Sequence, residues 1–165
     1  MIYNTTRRSL MEKEEVLGHL RAAKTAHIKW VQKAKQLIRG HEISEDTIPV
    51  DSTECKFGKW FYSDGQILNA LSNNPLECMS KIEKLHFDLH DIYMNIFAIY
   101  FIKPTGGFFS KFFGSKKKVL SEDEMQEAKA HYEMMEQVSK DLLEEINRLE
   151  RRLIAVSEEK MKSLI

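Results

Sequence analysis

The sequence is poor in the residues that interrupt or cross-link a chain. It has two cysteines, three prolines and seven glycines among 165 residues. Two cysteines cannot build the disulfide framework of a small secreted domain. The N-terminus lacks the apolar core of a signal peptide. These absences predict a protein of the reducing cytoplasm, with room for long helices because few residues would break them.

The sequence also lacks an excess of either charge and a long apolar run. Twenty-five basic residues balance 25 acidic ones, so the net charge favours neither nucleic acid nor a membrane surface as a partner. The longest apolar run, Ile92 to Ile102, is about half the ~20 residues of a membrane span. It is better interpreted as the end of a buried helix, and no transmembrane segment is expected.

A first helix is predicted from Ser9, which forms a capping box with Glu12. Gly40 is a typical helix C-terminal residue and ends it. The apolar positions alternate in steps of three and four, which is the spacing of a bundle helix. They are Val16, Leu20, Ala23, His27, Trp30, Ala34 and Leu37.

The middle of the chain predicts a loop over 41–54, a short helix over 55–71 that contains Gly58 and Gly65, and a second long helix over 76–102. That helix has favourable N-terminal chemistry, because an asparagine, a proline and a glutamate precede or begin it. Its apolar stripe comprises Ile82, Leu85, Leu89, Ile92, Ile96 and Ile99.

The last third of the chain begins with a Phe/Gly/Lys linker over 104–120, followed by a second capping box of Ser121 and Glu124. A heptad helix is predicted over 121–161, because the alternation of three and four persists for almost five heptads. Its stripe comprises Met125, Ala128, Tyr132, Met135, Ser139, Leu142, Ile146, Leu149, Leu153 and Val156. The predicted fold is therefore all-α, an antiparallel four-helix-type bundle with a long C-terminal helix.

Three histidines and one cysteine form a candidate metal site. His86 and His90 lie four residues apart, so both imidazoles face one side of a helix. His27 occupies a core position, where an unpartnered imidazole costs about 1–3 kcal/mol. With Cys55 they make a borderline-soft set of four donors that suits tetrahedral zinc, although copper accepts the same atoms. Chance spacing of two histidines and a merely structural cysteine remain alternatives, and Cys78 is interpreted as a core or surface thiol.

The segments HIKW (27–30), CKFGKWFY (55–62) and HFDLH (86–90) resemble, in order and spacing, the chemoreceptor zinc-binding (CZB) domain of bacteria. The resemblance covers about residues 19–101 and implies a helical, usually homodimeric domain over 9–103. It also implies that His27, Cys55, His86 and His90 bind zinc. Family members often adjoin a chemoreceptor or cyclase, whereas this chain adds only the linker and the last helix.

The resemblance also suggests roles for neighbouring residues. Gly58 would permit a close backbone approach, and Trp30 and Trp60 would shield the metal, although plain core packing explains both tryptophans. Four carboxylates are candidate acceptors for the imidazole N–H groups, with a solvated surface position as the alternative. They are Asp51, Glu54, Asp88 and Asp91.

The implied function is sensory. A zinc-bound thiolate is nucleophilic and oxidisable, so Cys55 would respond to zinc or to an oxidant such as hypochlorous acid in chemotaxis or cyclic-di-GMP signalling. A helical interaction protein with a purely structural zinc is the alternative. Catalysis is not expected, because four protein ligands close the site, and a hemerythrin-like di-iron site lacks enough histidines. The linker would be either a flexible basic segment or a contact to an anionic membrane.

Overall fold

The computed structural model describes residues 13–43, 51–71, 75–102, 116–117 and 119–163. These residues are almost entirely helical, which confirms the all-α prediction with its long C-terminal helix. A two-residue antiparallel pair, β1 (Phe101–Ile102) and β2 (Lys116–Lys117), is the one extended element among them. The helices are α1 (Lys13–Ile38), α2 (Lys56–Phe61), a 3₁₀ helix (Asp64–Ala70), α3 (Pro75–Tyr100), α4 (Glu122–Ala155) and α5 (Glu158–Lys162). None of them is long and apolar enough to cross a membrane.

Helix α4 packs against both α1 and α3. At the start of α1, Lys13 Nζ donates to the carbonyl oxygen of Ile154 at 2.8 Å and to that of Val156 at 2.7 Å. Near the start of α3, Cys78 Sγ lies 3.3 Å from Nη1 of Arg152, which is close to the C-terminal end of α4. Both helices therefore run antiparallel to α4 and parallel to each other.

Because α1 and α3 are parallel, the chain between them has to run back along the bundle, from the C-terminal end of α1 to the N-terminal end of α3. This return segment carries α2, which packs against α1, and the 3₁₀ helix, which packs against α3. The bundle thus has three long helices in the described residues, with short elements on its remaining side in place of a fourth long helix.

The predicted apolar stripes are the buried faces of the long helices. All seven predicted positions of α1 are buried. In α4 the stripe is buried from Ala128 to Leu153, while Met125 is 47 % exposed. In α3, Leu85 and Ile99 are only partly buried. Heptad spacing therefore located the buried positions of the core correctly, except at positions such as Met125, Leu85 and Ile99.

The ends of the helices agree with most of the predicted signals. Gly40 has a φ of 87°, and its N–H donates to the carbonyl of Leu37 while that of His41 donates to Gln36, both at 3.0 Å. This is the Schellman pattern. The capping box of Ser121 and Glu124 is present. The pair Ser9–Glu12, the residue before α3 and most of the linker over 104–120 lie outside the described residues.

The helix predicted over 121–161 is divided in two. Val156 is extended, with a ψ of 135°, and α4 ends before it. The side chain of Ser157 then accepts from the N–H of Lys160 and caps α5. Serine favours a cap over a helix interior because its hydroxyl competes for backbone groups, so the heptad pattern alone overestimated the length of this helix.

Substitution of Leu149 by alanine tests the role of α4 in the core. Leu149 is fully buried, whereas Ile154 on the same helix is 55 % exposed. We expect Leu149→Ala to lower the free energy of unfolding by about 2–5 kcal/mol, because it leaves a cavity. Ile154→Ala, which removes the same number of carbon atoms from the surface, should change it by less than about 1 kcal/mol. Urea unfolding monitored by circular dichroism measures both, and equal losses would contradict the packing described.

Candidate metal centre

The four predicted donor residues come together from three separate segments. His27 lies on α1, Cys55 immediately precedes α2, and His86 and His90 lie on α3. One nitrogen or sulfur atom from each lies within 4.8 Å of those of the others. The exposed fractions of the three imidazoles are only 3 %, 0 % and 3 % in chain order, so the histidines are buried, while Cys55 is partly exposed.

The ring of His27 is oriented by its own helix. Its Nδ1 lies 2.7 Å from the carbonyl oxygen of Ala23, one turn earlier. A carbonyl can only accept, so Nδ1 carries the proton and the lone pair is on Nε2. A backbone acceptor on the distal nitrogen is the usual arrangement around a metal-binding histidine.

The two histidines of α3 lie one turn apart, with ring centroids separated by 4.7 Å and planes inclined by 77°. The ring of His86 lies 5.1 Å from that of His27, and the two planes are nearly perpendicular. His86 Nε2 is 3.3 Å from Cys55 Sγ, and its buried Nδ1 has no hydrogen-bond partner within the described part of the chain. The Nε2 atom of His86 and the Sγ atom of Cys55 are close enough to bind the same cation.

A tight turn positions Cys55. The residue is the N-cap of α2, and its Sγ accepts from the N–H of Gly58 at 3.2 Å. A Cβ atom at Gly58 would lie 1.8 Å from the carbonyl oxygen of Ser52. Glycine is therefore required where α2 passes the preceding turn, which agrees with the close backbone approach that the family resemblance suggested.

Burial keeps the metal-free donors neutral. Desolvation lowers the pKa of His27 to about 4 and, with the adjacent His27, that of His86 to about 2. Burial also raises the pKa of Cys55, while the N–H groups of Gly58 and Phe57 oppose this. Neutral imidazole is the form that binds metal ions, so burial disfavours protons on His27 and His86 and leaves their lone pairs for a cation.

The donor set fits zinc. Three imidazole nitrogens and one thiolate match a four-coordinate site, in which tetrahedral geometry separates the donor atoms by about 3.3–3.6 Å. The separations in the structure reach up to 4.8 Å, so the widest pairs would have to move closer on binding. His86 Nε2 and Cys55 Sγ already lie 3.3 Å apart, which is the separation expected around zinc.

Aromatic rings surround the cluster, partly as predicted. The ring of Trp30 lies 4.3 Å from that of His90. Trp60 lies one layer further out and stacks on His19 at 4.8 Å. Phe57 is closer, at 5.0 Å from His86 and 5.6 Å from His27. Phe57 belongs to the CKFGKWFY segment, but neither its contacts with the histidines nor the stacking of His19 on Trp60 was predicted.

Three of the four candidate carboxylates have other partners. Asp51 accepts hydrogen bonds from the N–H and hydroxyl of Thr53. Glu54 pairs with Lys59 at 3.0 Å, and Asp88 pairs with Lys84. Surface pairing therefore accounts for these three better than hydrogen bonds to the imidazoles do. The acceptor found for His27 is a main-chain carbonyl, which no residue type in the sequence signals.

Comparison with known proteins agrees with this geometry. Residues 27–97 match the model of the chemoreceptor zinc-binding domain family. The matched region begins at the first of the four donor residues and includes the other three. No curated protein and no solved structure matches the chain.

Substitution of Gly58 tests the turn that holds Cys55. We expect Gly58→Ala to lower the free energy of unfolding of the chelator-treated protein by more than about 2 kcal/mol, since overpacking against rigid backbone is destabilising. The matched control is Gly18→Ala on α1, where a Cβ would meet nothing within 4 Å. That change should stabilise by about 0.5–1 kcal/mol through helix propensity. Equal effects in urea unfolding would show that the close approach is not required.

Proposed function

Because residues 27–97 match the model of the chemoreceptor zinc-binding domain family, we propose that this protein is a zinc-binding regulatory protein in which His27, Cys55, His86 and His90 hold one zinc ion. The observation that carries the proposal is the convergence of four suitable donor atoms from three segments within 4.8 Å. The zinc-binding unit would extend over residues 9–103, the linker over 104–120 and the C-terminal helical unit over 121–161.

The domain family is regulatory rather than catalytic, and the donor set supports the same role here. Catalytic zinc sites keep a position open for water or substrate. Four protein donors would fill a tetrahedral site, and the three histidines are buried. A bound zinc ion would supply positive charge that keeps Cys55 as a thiolate, and it would join three segments of the fold.

Cys55 is the residue through which a signal would act. Its sulfur contacts His86 on α3 and caps α2. Oxidation by hypochlorous acid would transfer two electrons from the thiolate to the oxidant, giving a sulfenic acid and chloride. Loss of this donor, or of the ion, would free the turn before α2 from α3. Because α3 also packs against α4, the change would reach the C-terminal helix.

The partners would be a second copy of the chain and a chemoreceptor or cyclic-di-GMP-forming enzyme. The match to the chemoreceptor zinc-binding domain family supports this, because that family acts in chemoreceptor and other signalling proteins. Neither nucleic acid nor a membrane span is part of the proposal. The two free cysteines suit the reducing cytoplasm.

Metal analysis tests the site. Protein purified without added metal should contain one zinc per chain, and Cys55→Ala and His86→Ala should each lose most of it, since loss of one donor weakens binding by orders of magnitude. The matched controls are Cys78→Ala and His19→Ala, which lie outside the four-donor cluster and should keep the zinc of the unmodified protein. A wild-type protein free of zinc, or equal losses in the controls, would contradict the proposal.

A purely structural zinc in a helical interaction protein is the second candidate, supported by the burial of the histidines. Thiol labelling of Cys55 before and after treatment with hypochlorous acid separates the two. A sensor should lose labelling and zinc together at low oxidant doses, with Cys78→Ala as the background that leaves one thiol. A Cys55 thiol that is inert at every dose would leave only the structural role.

A further inference from the structure

A cavity opens from the protein surface onto one side of the candidate metal centre. Its volume is about 280 Å³. One wall comes from the turn before α2 and the other from α3, and a donor residue, the 3 % exposed His90, lies on it. The lining residues are Asp51, Ser52, Phe87, His90, Asp91 and Met94.

One residue of the cavity wall contacts a second candidate donor, Cys55, which does not itself line the cavity. The carbonyl oxygen of Ser52, on its wall, lies 3.4 Å from Cys55 Sγ. Other sides of the cluster are covered by rings, with Trp30 against His90 and Phe57 against His86. This cavity therefore reaches the cluster on a side that the rings of Trp30 and Phe57 do not line.

The mouth of the cavity carries charge of one sign. Asp51 and Asp91 are both exposed, and two hydrogen bonds of 2.8 Å from Thr53 hold the carboxylate of Asp51 in place. Phe87 and Met94, which are 58 % and 40 % exposed, supply apolar walls. A cleft with like charges and low-dielectric walls focuses its field and raises the local concentration of counter-ions.

We infer that this cavity is the route by which a divalent cation reaches the centre, with Asp51 and Asp91 attracting the ion and His90 the first donor that it meets. The inference rests on the proposed function, because it needs the four donors to bind a metal. It goes further because two carboxylates that do not bind the metal at equilibrium would increase the rate at which the metal enters the site.

The test is the rate of cobalt(II) uptake by chelator-treated full-length protein, measured by stopped-flow absorbance of the thiolate-to-cobalt band. The variant Asp51→Asn/Asp91→Asn should load roughly 10-fold more slowly than wild type at low ionic strength. Salt should slow the wild type and barely affect the variant, because screening removes the same attraction. Final cobalt content should be one per chain in both.

The matched control is Glu54→Gln/Asp88→Asn. It changes the net charge by the same two units close to the same donors, but these carboxylates pair with Lys59 and Lys84 and do not line the cavity. The control should load at the wild-type rate. A second variant, Met94→Trp, narrows the mouth at an exposed position and should slow uptake and chelator-driven release by the same factor, with unchanged affinity.

Each outcome is decisive. Equal uptake rates in wild type and Asp51→Asn/Asp91→Asn, or an equal slowing in the control, would overturn the inference while leaving the metal site intact. Reduced final cobalt content in Asp51→Asn/Asp91→Asn would mean that these carboxylates bind the metal themselves, and this too would overturn the inference. A wild type that binds neither cobalt nor zinc would instead refute the proposed function.

Discussion

Burial of the α4 stripe against α1 and α3 fixes where the histidines can lie. Leu142, Ile146, Leu149 and Leu153 are fully buried, and each contributes about 1.5–3 kcal/mol through burial. This packing holds α1 and α3 parallel and side by side, so that His27 meets the histidines of α3. It also offsets the unfavourable desolvation of imidazoles, which is visible in the lowered pKa values of His27 and His86.

Local interactions orient the individual histidines, but only the packing of the helices brings the candidate donors together. The Ala23 carbonyl selects the tautomer of His27, and a helix turn sets the spacing of His86 and His90. Neither brings the two helices together. The short return segment adds the fourth donor, because Gly58 lets α2 begin within contact of the preceding turn. The long helices hold the histidines in place, while the turn before α2 positions the sulfur of Cys55.

Much of this was predictable from the sequence, for physical reasons. Heptad spacing marks a buried stripe directly, and the capping box of Ser121 is a local hydrogen-bond pattern. The convergence of the four candidate donors was expected, because their motifs resemble those of the chemoreceptor zinc-binding domain. The parallel direction of α1 and α3 was not, since it depends on the path of the return segment. The break at Val156 and the contacts of Phe57 and Trp60 depend on packing between elements, which local spacing does not encode.

The double use of the Cys55 sulfur has a thermodynamic consequence. One atom caps α2 and is also the proposed fourth donor to the ion, so formation of the helix and binding of the ion share a free energy. Such coupling is reciprocal: the bound ion would stabilise the formed turn over residues 51–58 by the same factor by which the formed turn favours the ion, so a change that unfolds the turn would weaken binding even where it touches no donor. Affinity would then be adjustable in evolution through the surface of a six-residue helix, with the four donors unchanged.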